Sequence, residues 1–268
     1  MNYYKGLAVF IDILGTKNKN FDKLYQISKY FHSKIKKIKT SRILSLFTEK
    51  YVSSFSDCAY IIYKFKYDIS DPKDFQHIVE YCLNDLSQTL TTFTKNGFLF
   101  RGGVVYGDVY FDKRYNLLFG SAINEAFLLE REAIMPRIIF SKTIEQNILE
   151  NMNIEYKDIK QGDNYKLWNS VICLDLYDYR LFFNYLIRNV NNCNNDAFIK
   201  IMHKKNIKEK CYNLKNIYEY LDAAESFSMD VIDNCIDNNV IAKHIWQINY
   251  LKNMKSYYTD RRNYCVIE

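Results

Sequence analysis

The sequence has 268 residues, of which 48% are hydrophobic and 16% aromatic, and a formal net charge of +6. This length and composition predict one sizeable core with room for an appendage. No stretch approaches the roughly 20 apolar residues of a membrane span, and the first five residues lack a signal peptide's apolar core, so we expect a cytoplasmic protein without a membrane partner.

The seven cysteines and the basic runs exclude further classes. The cysteines are odd in number and lack C-x-x-C spacing, which argues against a disulfide framework and a zinc site. Lysines cluster in residues 34–39 and 203–210. Such runs usually form a solvated helix face, so we do not expect nucleic acid as a partner, although binding to nucleic acid or another polyanion is the alternative.

The first predicted strand carries the first candidate residue. Residues 7–15 are an apolar run that contains Asp12. A buried strand has no structural use for a carboxylate near its end unless a positive group lies beside it. Asp12 is therefore a candidate metal ligand, and a helix is predicted after it, from about residue 20 to 40.

A second acidic residue lies between two β-prone runs. Strands are predicted near 51–57 and 59–65, with Asp57 at the hairpin turn, and a helix from about 71 to 95 follows. With one more strand the order is βαββαβ, in which the end of the first strand lies beside this hairpin. Asp12 and Asp57 would then converge, and two close carboxylates call for cations, so we expect two Mg²⁺ or Mn²⁺ ions.

Glycines mark the next region, since five of the eight fall between Gly97 and Gly120. Residues 98–111 predict a strand, a glycine-bearing turn and a returning strand. The glycines indicate either close approach to a ligand or tight hairpins alone. A helix over 120–133, a strand over 136–140, a helix over 142–151 and short strands over 156–175 are predicted to follow.

The pattern changes near residue 177, beyond which there is no glycine. Helical segments are predicted near 178–190, 196–207, 212–227 and 238–257. The chain is therefore expected to be an α+β protein with two parts: a catalytic domain over 1–176 and a helical extension over 177–268. Because no Pro/Gly/Ser linker separates them, the extension is expected to pack on the domain.

Four segments in succession resemble a known family. They are Phe10–Gly15, Phe55–Asp57, Arg101–Val109 and Phe119–Ala126. Their order is similar to the motifs of class III nucleotidyl cyclases over roughly residues 5–175. The closer likeness is to the stand-alone bacterial pyrimidine cyclases of the Pycsar antiphage systems, whose pattern is similar to Gly120–Glu130, Pro136–Ile138 and Lys243–Tyr250.

The resemblance implies a βαββαβ ferredoxin-like cyclase palm that works as a homodimer with two composite sites. In one protomer Asp12, Asp57 and the carbonyl of Ile13 would hold the two metal ions, and the other protomer would contact the base and ribose. Asn124 matches the residue that orients the ribose. The reaction would be attack of the ribose 3′-hydroxyl on the α-phosphate, giving a 3′,5′-cyclic nucleotide and pyrophosphate.

The base-reading positions depart from the purine cyclases. Ser53 and Leu117 stand where those enzymes carry residues that read the purine base. Tyr51 lies on the same strand face as Ser53 by period-two alternation, so it could fill space left by a smaller base, or be an ordinary strand aromatic. The expected substrate is therefore a pyrimidine nucleoside triphosphate, UTP or CTP, and the product an antiphage second messenger.

The family's transition-state arginine is replaced by Leu128. Arg131, further along the same helix, and Arg101, before the glycine turn, are candidate substitutes. Lys160 or Lys166 could also reach phosphate. Two rivals stay open: a degenerate cyclase fold that binds nucleotide or dimerises, and a palm-type polymerase that joins nucleotides.

Overall fold

The computed structural model describes residues 3–16, 20–38, 40, 42, 44–94, 97–151, 165–169, 172–186 and 214–261. Its strands are β1 (Tyr4–Ile13), β2 (Thr48–Phe55), β3 (Cys58–Phe65), β4 (Phe100–Asp112), β5 (Leu117–Phe119), β6 (Ile138–Phe140), β7 (Tyr165–Asn169), β8 (Ile172–Asp175) and β9 (Leu181–Phe183). Its helices are α1 (Phe21–Ile35), α2 (Leu44–Phe47), α3 (Pro72–Thr94), α4 (Ser121–Glu132), α5 (Lys142–Asn151), α6 (Leu214–Asn234) and α7 (Asn238–Arg261).

The sheet is organised around β1, which is buried along most of its length. The main strand order is β2-β3-β1-β4-β6-β9-β8-β7, and β5 pairs with β4 outside this path. β1 runs antiparallel to both β3 and β4. The prediction of an α+β fold with βαββαβ order is therefore confirmed.

One face of the central strands carries the apolar core and is covered by α1 and α3. Phe75 of α3 packs edge-on against Tyr106 of β4, with ring centroids 4.7 Å apart. His32 of α1 lies against Ser54 of β2, with Nδ1 and Oγ 2.6 Å apart. Both helices thus occupy the side of the sheet opposite the residues Tyr51 and Ser53, which alternate with Ser54 along the strand.

The other face is covered at β4 by α4, and here the prediction of a glycine turn within 98–111 is wrong. β4 is one continuous strand, and Gly103 lies inside it. A Cβ at Gly103 would lie 2.5 Å from the Cβ of Leu129 and 2.7 Å from the carbonyl oxygen of Ala126. The glycine therefore serves close packing of α4 on the strand.

The C-terminal part contains both strand and helix. The predicted helical segment near 178–190 is wrong at Leu181–Phe183, which is β9 and inserts between β6 and β8. The predicted segments at 212–227 and 238–257 correspond to α6 and α7, and the one at 196–207 lies outside the described residues.

Trp246 of α7 donates from Nε1 to Asp175 at 2.9 Å, and Asp175 also pairs with the buried Arg137. These contacts attach α7 to the sheet.

None of the helices in the described part of the chain combines the length and apolar character needed to cross a membrane.

Candidate active site

The acidic end of the site is a row of residues across three neighbouring strands. Asp12 of β1 is paired in register with Cys58 of β3 on one side and with Arg101 of β4 on the other. Directly opposite residues in an antiparallel sheet point to the same face. Asp12, Cys58 and Arg101 therefore share the face on which α4 packs.

Asp57 reaches this row from the turn between β2 and β3. The preceding Ser56 has φ of 49°, the left-handed conformation that tightens the turn. The amide of Ile13 donates to the Asp57 carbonyl at 3.0 Å, and the hydroxyl of the buried Thr16 donates to Asp57 Oδ2. These two bonds hold Asp57 beside the end of β1, as predicted from the strand order.

Arg101 lies between two carboxylates. Its Nη2 atom forms an ion pair with Glu130 of α4 and lies 3.8 Å from Asp12 Oδ2. Glu130 is 5% exposed, so this pair is largely shielded from water. The structure thus brings the predicted Arg101 to the acidic row, and it adds Glu130, which the sequence reasoning missed because a glutamate within an amphipathic helix carries no distinguishing pattern.

The thiol of Cys58 lies close to the negative charges at this end of the site. Burial, and then the charges of Asp12, Asp57 and Glu130, raise the pKa of Cys58 to about 12. The thiol donates to the carbonyl of Phe55 at 3.3 Å. It therefore stays protonated at neutral pH.

The donors at this end fit a hard divalent cation. Carboxylate and carbonyl oxygens are the ligands that Mg²⁺ and Mn²⁺ prefer, and Asp12, Asp57 and Ile13 meet at the end of β1. Among the described residues, no three His, Cys, Asp or Glu side chains converge as a ready metal cluster. The protein would thus supply two carboxylates and a backbone carbonyl to the metal ions. In this structure the guanidinium of Arg101 lies near the carboxylate of Asp12 and contributes a positive charge there.

A second group of residues lies further along the same sheet face. Tyr51 is 9% exposed, and its ring stacks on Phe111 with centroids 4.8 Å apart and planes 6° apart. Its hydroxyl donates to Asn116 Oδ1 at 2.6 Å, and the Ser53 hydroxyl lies 3.4 Å from the same oxygen. The predicted Tyr51 and Ser53 are thus brought together with Asn116.

The hairpin of β4 and β5 carries these contacts over β2. Lys113 forms an ion pair with Glu49 at 2.9 Å, which ties the hairpin to β2. Leu117 begins β5 and is 46% exposed beside Asn116. Asn116 itself was missed by the sequence reasoning, although asparagine is a residue type that tolerates its φ of 50° in a tight turn.

The remaining predicted residues of α4 point away from their own sheet. The buried side of α4 comprises Ala122, Ile123, Ala126, Leu129 and Glu130. Asn124, Leu128 and Arg131 are exposed, and the 3.6-residue period puts them on the opposite side of the helix. The guanidinium of Arg131 lies over the ring of Phe127, 5.1 Å from its centroid. The structure therefore does not join Asn124 and Arg131 to the acidic row of the same chain.

Lys166 belongs to β7, at the edge of the sheet opposite β2. β4, β6, β9 and β8 lie between it and β1, so the fold does not bring it to Asp12 of the same chain. Its side chain and all of Lys160 lie outside the described residues.

Comparison with known proteins finds likeness in solved structures alone: no protein-family model and no curated protein matches the chain. A guanylyl cyclase domain of the RhoGC fusion protein from the aquatic fungus Blastocladiella emersonii is 15% identical, with a TM-score of 0.41, over 55% of this chain and 85% of that one. A bacterial light-regulated adenylyl cyclase is 13% identical, with a TM-score of 0.38, over 75% and 99%.

The adenylate/guanylate cyclase/hydrolase of Silicibacter pomeroyi is 14% identical, with a TM-score of 0.40, over 68% of this chain and 96% of that one. Identities and scores this low do not establish a family. The chain's own strand order and side chains carry the interpretation below.

Proposed function

We propose that the protein is a metal-dependent nucleotidyl cyclase that acts on a pyrimidine nucleoside triphosphate. The observation that carries this proposal is that Asp57 is hydrogen-bonded through its carbonyl to Ile13, next to Asp12 at the end of β1, and that Asp12 shares a sheet face with Tyr51 and Ser53. The aspartates offer carboxylates for metal-bound phosphates, and Tyr51 and Ser53 offer polar groups for a base, which in a composite site would be the base of the nucleotide held by the partner protomer. The motif resemblance to class III cyclases, and to the pyrimidine cyclases among them, supports the same reading.

The reaction is an intramolecular phosphoryl transfer. The 3′-hydroxyl loses its proton to water, its oxygen forms a bond to the α-phosphorus, the bond from the α-phosphorus to the oxygen that bridges to the β-phosphorus breaks, and pyrophosphate leaves with that electron pair. Bound Mg²⁺ or Mn²⁺ would neutralise the phosphates and lower the pKa of the attacking hydroxyl. Asp12 and Asp57 hold those ions in this proposal. Arg101, whose Nη2 atom lies 3.8 Å from Asp12 Oδ2, would contribute positive charge to the phosphate region.

The active form is proposed to be a homodimer with two composite sites. Asn124 and Arg131 lie on the side of α4 that faces away from its own sheet. From that position, Asn124 and Arg131 cannot reach a nucleotide bound at Asp12 of their own chain. They can act on a nucleotide bound at Asp12 of a second copy of the chain. Leu128, 55% exposed between them, would be covered in such a dimer.

The preference for a pyrimidine is argued from the far end of the same face. Ser53 and Leu117 replace the charged or polar purine readers of the resembling family, and the stacked pair of Tyr51 and Phe111 fills space there. A smaller base fits a site with such bulk. Production of a cyclic pyrimidine nucleotide as an antiphage signal is the role that the resemblance adds to this proposal.

The test is incubation of the purified protein with each of the four nucleoside triphosphates and Mn²⁺, with products separated and weighed by mass spectrometry. The proposal expects one pyrimidine triphosphate to give a cyclic mononucleotide and pyrophosphate. An oligonucleotide product would select the palm-type polymerase. Tight binding without pyrophosphate release would select the degenerate nucleotide-binding module, which the leucine at position 128 favours.

A further inference from the structure

Asn116 is the best-positioned polar side chain at the far end of the site face. It sits in the turn between β4 and β5, and its Oδ1 atom accepts from the Tyr51 hydroxyl at 2.6 Å. The Ser53 hydroxyl lies 3.4 Å from the same oxygen. Two hydroxyl groups from β2 therefore face one side of the amide.

This arrangement fixes which way the amide points. A carboxamide carries an acceptor oxygen and a donor NH₂ group, and here the oxygen is the end held by β2. In the part of the chain that the structure describes, the Nδ2 group of Asn116 donates to no protein acceptor, and the residue is exposed. An oriented donor is thus presented to solvent beside Leu117.

The hydroxyl groups of Tyr51 and Ser53 cannot serve as fixed hydrogen-bond donors to a ligand in the way that the Asn116 amide can. Each has a single proton, and the protons of Tyr51 and Ser53 are directed at Asn116 Oδ1. The ring of Tyr51 is also stacked on Phe111 and nearly buried. The amide is therefore the group at this end whose donor character is fixed.

The hairpin that carries Asn116 is held in place independently of these bonds. The 2.9 Å ion pair between Lys113 and Glu49 ties it to β2, and β4 pairs with β5 in register on the other side of the turn. A side chain supported in this way is positioned before a ligand arrives, which is what selective recognition requires.

Resting on the proposed cyclase function, we infer that Asn116 is a specificity-determining residue that donates from Nδ2 to a carbonyl oxygen on the base. Uracil presents a carbonyl at C4, where cytosine presents an amino group that is itself a donor. A fixed donor therefore favours UTP over CTP. The same logic favours guanine over adenine for any purine that enters.

Two substitutions test this inference without straining the turn. Asn116→Gly removes the amide, and Asn116→Asp replaces the donor with an acceptor; both residue types tolerate the left-handed φ of 50°. Asn239→Asp, on an exposed residue of α7 far along the chain, is the control for the added charge. Thermal melting of all three proteins verifies folding.

The readouts are kcat/KM for UTP and CTP, and competitive binding of non-cyclisable UTP and CTP analogues. The wild type and Asn239→Asp should favour the uracil nucleotide by about tenfold or more, the effect of one well-placed base contact. Asn116→Gly should reduce the ratio to within about threefold of unity. Asn116→Asp should reverse it, because its carboxylate accepts from the cytosine amino group.

The outcomes of these measurements test the role of Asn116 separately from the proposed cyclase function. Turnover with a wild-type preference for CTP, or with a ratio that Asn116→Asp leaves unchanged, overturns the role of Asn116 while the cyclase proposal stands. Uracil-selective binding that Asn116→Asp reverses, without any turnover, supports the role of Asn116 and overturns the cyclase. Absence of both turnover and binding overturns both.

Discussion

The guanidinium of Arg101 joins the carboxylate of Glu130 in an ion pair between β4 and α4. The same guanidinium lies 3.8 Å from Asp12, so a single cation balances a helix carboxylate and a candidate metal ligand. The pair therefore links the packing of α4 to the electrostatics of the site.

Replacing Glu130 with Gln should destabilise the fold. The substitution leaves Arg101 without its nearly buried partner charge, which typically costs about 1–3 kcal/mol. Urea denaturation measures the free energy of unfolding. Glu132→Gln, on an exposed side chain of the same helix, is the control and should change it by less than about 0.5 kcal/mol. Equal effects of the two substitutions would show that Glu130 does not fasten α4.

Replacing Ser56 with glycine should increase the free energy of unfolding. Its φ of 49° lies in the left-handed region, which is strained for a residue with a Cβ. Ser56→Gly relieves that strain, and after the entropic cost of glycine we expect a gain of about 0.5–1 kcal/mol in the free energy of unfolding. Ser56→Val should instead lose about 1–2 kcal/mol, since a β-branched residue tolerates this backbone least. A valine variant as stable as the glycine variant would contradict this turn geometry.

The loss of stability caused by glycine-to-alanine substitutions in β4 should be larger where the new Cβ lies closer to α4. A Cβ at Gly103 would meet Leu129 at 2.5 Å, whereas one at Gly107 would lie 3.3 Å from the Cβ of Ala122. Gly103→Ala should therefore cost about 1–3 kcal/mol through overpacking, and Gly107→Ala less than about 1 kcal/mol. Thermal or urea unfolding of the pair measures the difference. The reverse order would mean that α4 does not pack on Gly103.

The stability of the protein should decline in alkaline solution partly through Cys58. Burial and the nearby carboxylates raise the pKa of this thiol to about 12, whereas an unfolded thiol has a pKa of about 8.5. A raised folded pKa contributes stability that is complete below pH 8.5 and is lost as the pH rises through about 12. Within that window the decline from one thiol approaches about 1.4 kcal/mol per pH unit.

The check is the free energy of unfolding between pH 8.5 and 10.5 for the wild type and Cys58→Ser. Serine does not titrate in this range, so the variant should lose stability with a shallower slope. Cys235→Ser, on a partly exposed thiol, should keep the wild-type slope. A Cys58→Ser slope that matches the wild type would show that the thiol is not held protonated by its surroundings.

The central fold and the acidic end of the site could be predicted from the sequence because they depend on local patterns. An apolar strand that ends in Asp12 and a hairpin around Asp57 fix both positions once the strand order is known. The order itself followed from the alternation of strand and helix signals. These are the strongest short-range signals that a single sequence carries.

The errors occurred where long-range packing decides the outcome. The sequence pattern predicts a turn at Gly103, whereas the residue lies inside a continuous strand and is needed there because α4 leaves no room for a Cβ. Leu181–Phe183 is too short to show a period, so its pairing with β6 and β8 could not be separated from a helical segment. Asn116 belongs to no motif, and its place beside Tyr51 depends on how the β4–β5 hairpin folds over β2.

The most direct test of the central claim is pyrophosphate release and cyclic-product formation from UTP with Mn²⁺, compared between the wild type, Asp57→Asn and Asp108→Asn. Asp108 is partly exposed and pairs with Lys5 on the same sheet, which makes it the matched control. The wild type and Asp108→Asn should form a metal-dependent cyclic product, and Asp57→Asn should lose about a hundredfold or more of the rate. Wild-type turnover that Asp57→Asn retains would contradict the proposed role of the two aspartates.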